Sequence, residues 1–349
     1  MTPQSLSQST FGRSSATSKR ILILLSREST TIPDGEARTL VLDVDRLARF
    51  EVLQPGVLLA TTRADPRIIE ERIAFSRRVG PLLQDGLGDD DQLRELRTGT
   101  YRVRVYGEGG EREEREVISQ VASKVGGKVS LDNPDREVTV VMGGGEGRGG
   151  TPYMALTNPG SMRQGWVTRK PRSRAFFHPS AIFPKLSRAL VNLSGVQDGE
   201  VFLDPFCGTG SLLIESYIIG AMPLGIDLAR KMVRGARRNS MKYEQGWLGV
   251  IRADARHLPL REVGSIATDI PYGRASSRAG VETSEILRYL IENAPGILPA
   301  RRKLVVMHPK SLVVDSSAYS MGNMRVEQEH DLYMHRKLTR TITVLRRVE

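Results

Sequence analysis

The sequence predicts an α/β protein: a C-terminal doubly wound, mostly parallel sheet with an antiparallel edge strand, preceded by a separate α+β region. From Glu200 onward, short apolar runs bounded by glycine alternate with amphipathic stretches of helical length, the pattern of repeated strand, helix, strand units. The last two apolar runs, residues 332–334 and 338–345, have no helix-length stretch between them, so they form an antiparallel edge. A glycine-rich run at 143–150 separates all of this from what precedes it.

The 349 residues suffice for two domains, or three, at about 150 residues each. Lys plus Arg number 51 against 40 Asp plus Glu, a net charge of +11 that points to a polyanionic partner. With 39% apolar and 26% charged residues, wholesale disorder and fibrous classes are excluded. Cys207 is the sole cysteine, which rules out an intrachain disulfide and a Cys-rich zinc site and suggests a reducing, cytoplasmic setting. No run approaches the about 18 consecutive apolar residues of a membrane span, so a soluble protein is expected. Residues 1–20 are rich in Ser and Thr and lack the apolar core of a secretory signal, which predicts a disordered tail.

The N-terminal region is assigned to residues 21–150. Residues 21–25 and 40–44 read as strands, with a mixed stretch at 37–50. Residues 101–106 alternate at period two, 111–124 form a charged helix, and 136–142 form another strand. The run 143–150 lacks the Lys-Ser/Thr pair of a phosphate loop and so reads as a boundary. A basic linker, 151–178, leads into the C-terminal domain, 179–349. Between Arg163 and Arg188 lie Arg163, Arg169, Lys170, Arg172, Arg174, Lys185 and Arg188 without one acidic residue, interleaved with Trp166, Phe176 and Phe177. Cations mixed with aromatics suit phosphate contact and base stacking; a solvated linker is the plainer alternative.

Ile182, Leu186, Leu190 and Leu193 recur at helical spacing and predict an amphipathic helix beginning near Pro179. Strands at 201–203, 224–227, 249–251, 266–268 and 303–307 then alternate with helices such as 211–219 and 230–243. Arg230, Lys231, Arg234, Arg237 and Arg238 make the second of these helices basic, for which a solvated face is the simpler account.

Ligands in such sheets bind at the carboxyl ends of the strands, and four strand ends here carry chemistry. The first opens into Asp204-Pro-Phe-Cys-Gly-Thr-Gly210, where Gly208 and Gly210 permit a tight turn and close approach of backbone amides to a ligand. The second ends in Asp227, a carboxylate able to accept both ribose hydroxyls of a nucleoside. Asp204 at the mouth of the glycine loop would repel a phosphate and attract an ammonium, which favours an amino-acid-bearing nucleoside over a dinucleotide. Asp254, at the third strand end, can accept from an adenine amino group or is a plain surface acid. The fourth end, Thr268-Asp-Ile-Pro-Tyr-Gly-Arg274, sets a carboxylate, a ring-fixed backbone and an aromatic in the order suited to a flat nitrogenous base.

At these motifs the sequence resembles the class I S-adenosylmethionine-dependent methyltransferases that modify exocyclic amino groups. More narrowly it is similar to the archaeal tRNA (guanine-10-N2)-methyltransferase family, the similarity running from about Tyr101 to the C-terminus. The resemblance implies a Rossmann-like methyltransferase sheet and an N-terminal THUMP-containing module that recognises tRNA, with a small activator protein as a further possible partner. It implies that Asp204, Phe206, Gly208, Gly210, Asp227, Asp254 and Ala255 hold S-adenosylmethionine, with no metal required. Asp269, Pro271 and Tyr272 are the implied catalytic residues, and Arg163, Arg169, Lys170, Arg172, Arg174 and Arg274 are expected to contact RNA. Ile270 stands where the family has its first proline; preceding Pro271, it keeps extended geometry and can keep its carbonyl direction. The expected activity is methyl transfer to the N2 of guanine, with guanine-10 of tRNA favoured over tRNA guanine-6 or a ribosomal guanine. A non-catalytic RNA-binding protein on the same fold is the alternative from another class.

Overall fold

A computed structural model describes residues 17–83, 96–107, 110–143, 152–159, 162–242, 249–257, 260–271, 282–312, 316–335 and 338–349. Its contacts divide the chain into two units, Thr10–Glu28 with Leu40–Gln164, and Ser29–Thr39 with Gly165–Glu349.

The N-terminal unit contains two four-stranded sheets. The first, in the order β2-β3-β1-β4, is antiparallel and uses β1 (Lys19–Leu25), β2 (Arg49–Gln54), β3 (Val57–Thr62) and β4 (Ser76–Pro81). Residues 40–44, expected as a strand, instead end helix α1 (Ile32–Val44). Ile32, Ala37, Leu40 and Val41 are all buried, so a period near 3.6 outweighs the short apolar run that suggested alternation. A second helix, α2 (Pro66–Arg72), is capped by the Asp65 carboxylate, which accepts from the Arg67 amide.

The second sheet, β6-β5-β7-β8, contains β5 (Thr100–Tyr106), β6 (Lys128–Val129), β7 (Arg136–Val141) and β8 (Tyr153–Thr157), with α3 (Glu111–Val125) between β5 and β6. Its central pair β5 and β7 is parallel, and β8 lies antiparallel to β7. The expected boundary at 143–150 therefore moves: β8 completes the N-terminal sheet, and the division falls between Gln164 and Gly165. The two sheets meet where Leu82 bridges Ala155. There the buried Glu137 carboxylate accepts from Arg78 Nη2 (3.0 Å) and from Arg102 Nε (2.7 Å).

The segment expected as a basic linker is structured, containing β8, helix α4 (Met162–Thr168) and a 3-10 turn (Pro171–Ser173). After it, helix α5 (Pro184–Leu193) starts five residues beyond Pro179, with proline in its first turn. The elements that follow are β9 (Val201–Asp204), α6 (Ser211–Ile218), β10 (Met222–Asp227), α7 (Arg230–Met241), β11 (Gly249–Arg252), β12 (Ser265–Asp269), α8 (Thr283–Asn293), β13 (Lys303–Pro309), α9 (Ser316–Met321), β14 (Met324–His335) and β15 (Leu338–Arg347).

The seven strands order as β11-β10-β9-β12-β13-β15-β14. The five expected parallel strands are parallel, and β15 is antiparallel to both β13 and β14, as the missing helix predicts. Leu203, Ile226, Ile266, Leu304 and Leu345 from successive strands form one core. The chain runs outward from β9 to β11 and then returns to β12 on the other side of β9, so the switch of direction opens a crevice at the carboxyl ends of β9 and β12.

Glu215 on α6 is fully buried and gathers the basic segment around itself. It accepts from Arg169 Nε (2.8 Å) and Arg188 Nη2 (2.9 Å), and both guanidinium groups lie over the Trp166 ring, at 5.0 and 5.7 Å. A carboxylate without exposure requires such partners, because an unpaired buried charge is strongly destabilising.

Candidate active site

The glycine loop after β9 is built to bring backbone close to a ligand. Gly208 (φ 51°) and Gly210 (φ 80°) take left-handed geometry that residues with a side chain adopt rarely. The Cys207 amide donates to the Ile226 carbonyl (2.8 Å) and the Gly210 amide to the Cys207 carbonyl (2.7 Å), which fixes the loop against β10. A carbon added to Gly208 would meet nothing within 4 Å, so this backbone faces open space of the kind a ligand fills. Cys207 itself is buried, and burial pushes its thiol pKa well up, consistent with a packing role.

Asp204, at the end of β9, is buried and accepts from Thr268 Oγ1 (2.7 Å) and from the Phe206 amide (3.2 Å). Burial pushes its pKa up to about 7 against those two hydrogen bonds, and the charges of Asp269 and Asp227 add to the rise. Asp227, at the end of β10, accepts from the amides of Gly208 (3.0 Å) and Ala229 (2.8 Å), so its carboxylate is held in a fixed orientation. Burial raises its pKa too, and these two amides oppose the rise. Phe206 is half-buried and packs on the sheet core, and Ala255 is buried.

Asp254 is where the third strand end places it, but Arg256 holds it through Nη2 (2.7 Å), Nε and the main-chain amide. Hydrogen bonding from Arg256 lowers its pKa. Any ligand amino group there shares the carboxylate with that guanidinium.

Asp269 closes the crevice from β12. The adjacent Thr268 hydroxyl bonds Asp204, which places the fourth motif beside the glycine loop at one end of the sheet. Both Asp269 oxygens are held by Arg340 from β15, with Nη1 to Oδ2 at 2.8 Å and Nη2 to Oδ1, and the Arg340 side chain is only 4% exposed. Burial raises the Asp269 pKa, and the Arg340 guanidinium pulls it back without cancelling the rise. Ile270 is fully buried in the sheet core, and its amide donates to the Met307 carbonyl (3.2 Å), so packing supplies the stiffness a proline ring would give. The Pro271 carbonyl accepts from Thr283 Oγ1 (3.2 Å). Tyr272 and Arg274 lie outside the described residues.

The basic segment divides by burial. Arg169 is held by Glu215, and Arg174 is buried, donating to Ser211 Oγ (2.6 Å), Ile182 O (3.2 Å) and Arg169 O (3.1 Å). This corrects the expectation that both face RNA, because their guanidinium groups are occupied inside the protein. Lys170 and Arg172 are exposed, and Arg172 lies over the Phe177 ring at 5.6 Å. The side chain of Arg163 lies outside the described residues.

Sequence reading missed Arg340 and Thr268. Arg340 shares a strand face with Ile342 and Val344, both fully buried, and a cation in phase with core positions is the signal that could have marked it.

The crevice thus gathers three carboxylates whose pKa values burial raises, and among the described residues only Asp269 has a cation against it. It suits a ligand bringing both positive charge and hydroxyl donors. The fold and these loops define a methyltransferase domain, and a family model described as RMKL-like, methyltransferase domain, matches residues 171–342. The chain is 31% identical over 347 residues to the tRNA (guanine(10)-N2)-dimethyltransferase of Methanothermobacter thermautotrophicus, covering 94% of this chain and 99% of that one. It is 32% identical to the protein of the same name from Methanocaldococcus jannaschii, over 67% of this chain and 64% of that one. The tRNA (guanine(6)-N2)-methyltransferase of Thermus thermophilus matches at 35% identity over 31% of this chain and 34% of its own. The chain belongs to the tRNA (guanine(10)-N2)-dimethyltransferase family.

The raised pKa of Asp204 makes stability without ligand depend on pH with a definite sign. The folded form holds this proton more tightly than the unfolded form, whose pKa is near the ordinary aspartate value of 3.8, so the contribution is complete below that pH. It is lost as pH rises and is gone above about 7. Denaturant unfolding of the ligand-free protein at pH 5 and 8 should show this loss, and Asp204→Asn should reduce the difference between the two. An unchanged difference in the variant would remove Asp204 as its source.

Proposed function

We propose that this chain transfers methyl groups from S-adenosylmethionine to the exocyclic N2 of guanine-10 in transfer RNA, in two successive transfers. The observation that carries the reading is Asp269, oriented by Arg340 at the switch crevice beside the Asp204 loop. Alignment over nearly the whole chain with a guanine-10 relative, against less than a third with the guanine-6 enzyme, supports the position.

The residues present fit the cofactor. Asp204 would face its ammonium, the open backbone at Gly208 its amino-acid portion, and Asp227 its ribose hydroxyls. Phe206, Ala255 and Asp254 would border the adenine, with Asp254 keeping Arg256 as a partner. When bound, the cofactor supplies a methyl group already activated by a sulfonium.

The guanine amino group is a poor nucleophile because its lone pair is delocalised into the ring. Asp269 accepts one amino hydrogen through a lone pair that Arg340 leaves open. The Ile270 carbonyl accepts the other, since the Pro271 carbonyl is already turned to Thr283. The positive charge that develops on nitrogen is then stabilised by a carboxylate fixed in advance. A pKa above the ordinary carboxylate value suits Asp269 to receive the proton the methylated amine releases. The base must leave its helix to reach this depth, and Tyr272 would stack on it by analogy with the family motif. The N-terminal unit serves as a THUMP-like module that binds tRNA, and the setting is cytoplasmic.

Incubation with labelled S-adenosylmethionine and unmodified tRNA, followed by nucleoside identification and position mapping, tests the reading. Dimethylated N2-guanosine at position 10 is expected, and label at position 6, on another base or nowhere overturns it. Asp269→Ala should cost about 10²-fold or more in transfer rate with cofactor affinity retained; a loss of a few-fold removes Asp269 from the chemistry. Arg340→Gln should raise the Asp269 pKa and move the acidic limb of the pH-rate profile to higher pH, with Arg340→Lys restoring part of the shift. A uniform loss of rate with an unmoved limb would make Arg340 merely structural.

A further inference from the structure

We infer that the outward face of α7 and the exposed turn carrying Lys170 and Arg172 form one cationic surface that grips the phosphate backbone of tRNA; this deepens the tRNA reading above and rests on it. The two segments are far apart in sequence and the fold joins them. The Phe176 ring packs directly on Gly235 of α7, leaving no room for a side-chain carbon there. The buried Asn239 accepts from the Phe176 amide (2.7 Å), donates to the Phe176 carbonyl (3.0 Å) and donates to the Thr209 carbonyl (2.9 Å). Lys242, just past the end of α7, donates from Nζ to the Ser173 carbonyl (3.0 Å). Residues 173–176 therefore lie along the inner edge of α7, and the same asparagine ties both to the glycine loop of the site.

The outer edge of α7 carries Arg230, Lys231, Arg234 and Arg238, all exposed and none paired with a described carboxylate. No Asp or Glu occurs in residues 228–242 or 163–188. Elsewhere the chain shows what its solvated helices look like: on α3, Arg112 pairs with Glu116 and Arg115 with Glu111, one turn apart. A surface kept only for solubility mixes signs in that way. α7 instead repels itself along its length, a cost that a polyanion lying on it removes. Its 12 residues extend about 18 Å, enough for several consecutive phosphates. Phe177, 43% exposed beneath the Arg172 guanidinium, adds a ring on which an unpaired base can stack. Of the apolar residues of α7, Val233 and Ala236 are buried, Met232 is half-buried and Met241, the last residue, is exposed, so the outward face carries charge and one terminal methionine rather than the apolar stripe that insertion into a lipid surface uses.

The test is the triple variant Lys231→Glu, Arg234→Glu, Arg238→Glu, with tRNA affinity measured across salt concentrations and steady-state kinetics alongside. At about 0.1 M salt, affinity should fall at least about tenfold, and the slope of log affinity against log salt should flatten by about two. KM for tRNA should rise while kcat, cofactor affinity and the melting midpoint stay within about twofold or unchanged. In the wild-type chain, bound tRNA should protect Lys170 and Lys231 from acetylation, a readout that does not depend on the variant folding. If the wild type binds and methylates tRNA but the variant matches it, or both lysines label equally with and without tRNA, the surface is overturned and the activity stands. If the wild type binds no tRNA, both readings fail together.

Discussion

Carboxylates gathered at one end of a sheet, one buried and two half-buried, need positive charge, and that need organises the catalytic unit. Asp204, Asp227 and Asp269 sit at the carboxyl ends of β9, β10 and β12, where the switch in strand order opens the sheet. The chain answers the need at one of them, by reaching Arg340 across from β15 to Asp269. At Asp204 and Asp227 the described donors are amides and a hydroxyl, which orient a carboxylate but do not neutralise it. This asymmetry separates two roles. The acid with an internal cation has a set orientation before any substrate arrives, whereas the acids without one favour a ligand that carries its own positive charge.

The same logic of burial sorts the arginines. Glu215 draws Arg169 and Arg188 inward, and Arg174 turns to Ser211 at the start of α6, so a stretch that looks uniformly basic in sequence is half scaffold. Among the described residues Lys170 and Arg172 remain exposed, and Asn239, Phe176 and Gly235 bring them beside the basic helix α7. Packing against the glycine loop makes that exposed charge part of the site's surroundings.

The strands of the catalytic unit were legible because each is short, apolar and bounded by glycine or a polar turn, and the antiparallel ending followed from the missing helix between the last two runs. The strand-end acids were legible for the same reason, since the topology dictates where strand ends meet. Two elements near the N-terminal unit were not. Residues 40–44 are the last turn of α1, and a five-residue apolar window cannot distinguish period two from period 3.6. The glycine run at 143–150 looked like a boundary because the pairing of β8 with β7 lies beyond any local pattern. Arg340 escaped notice because its partner lies 71 residues away, and nothing local says which acid an inward-facing cation will meet. Asp254 follows the end of β11, and its capture by Arg256, two residues on, is a side-chain choice that spacing alone does not fix.

Calorimetry of S-adenosylmethionine binding at pH 6, in buffers of different ionisation enthalpy, tests most directly whether the crevice awaits a cation. With its pKa at about 7, Asp204 is largely protonated at that pH and must ionise to face an ammonium, so binding should release most of one proton per ligand. Binding at the same pH with no net proton exchange would contradict the account.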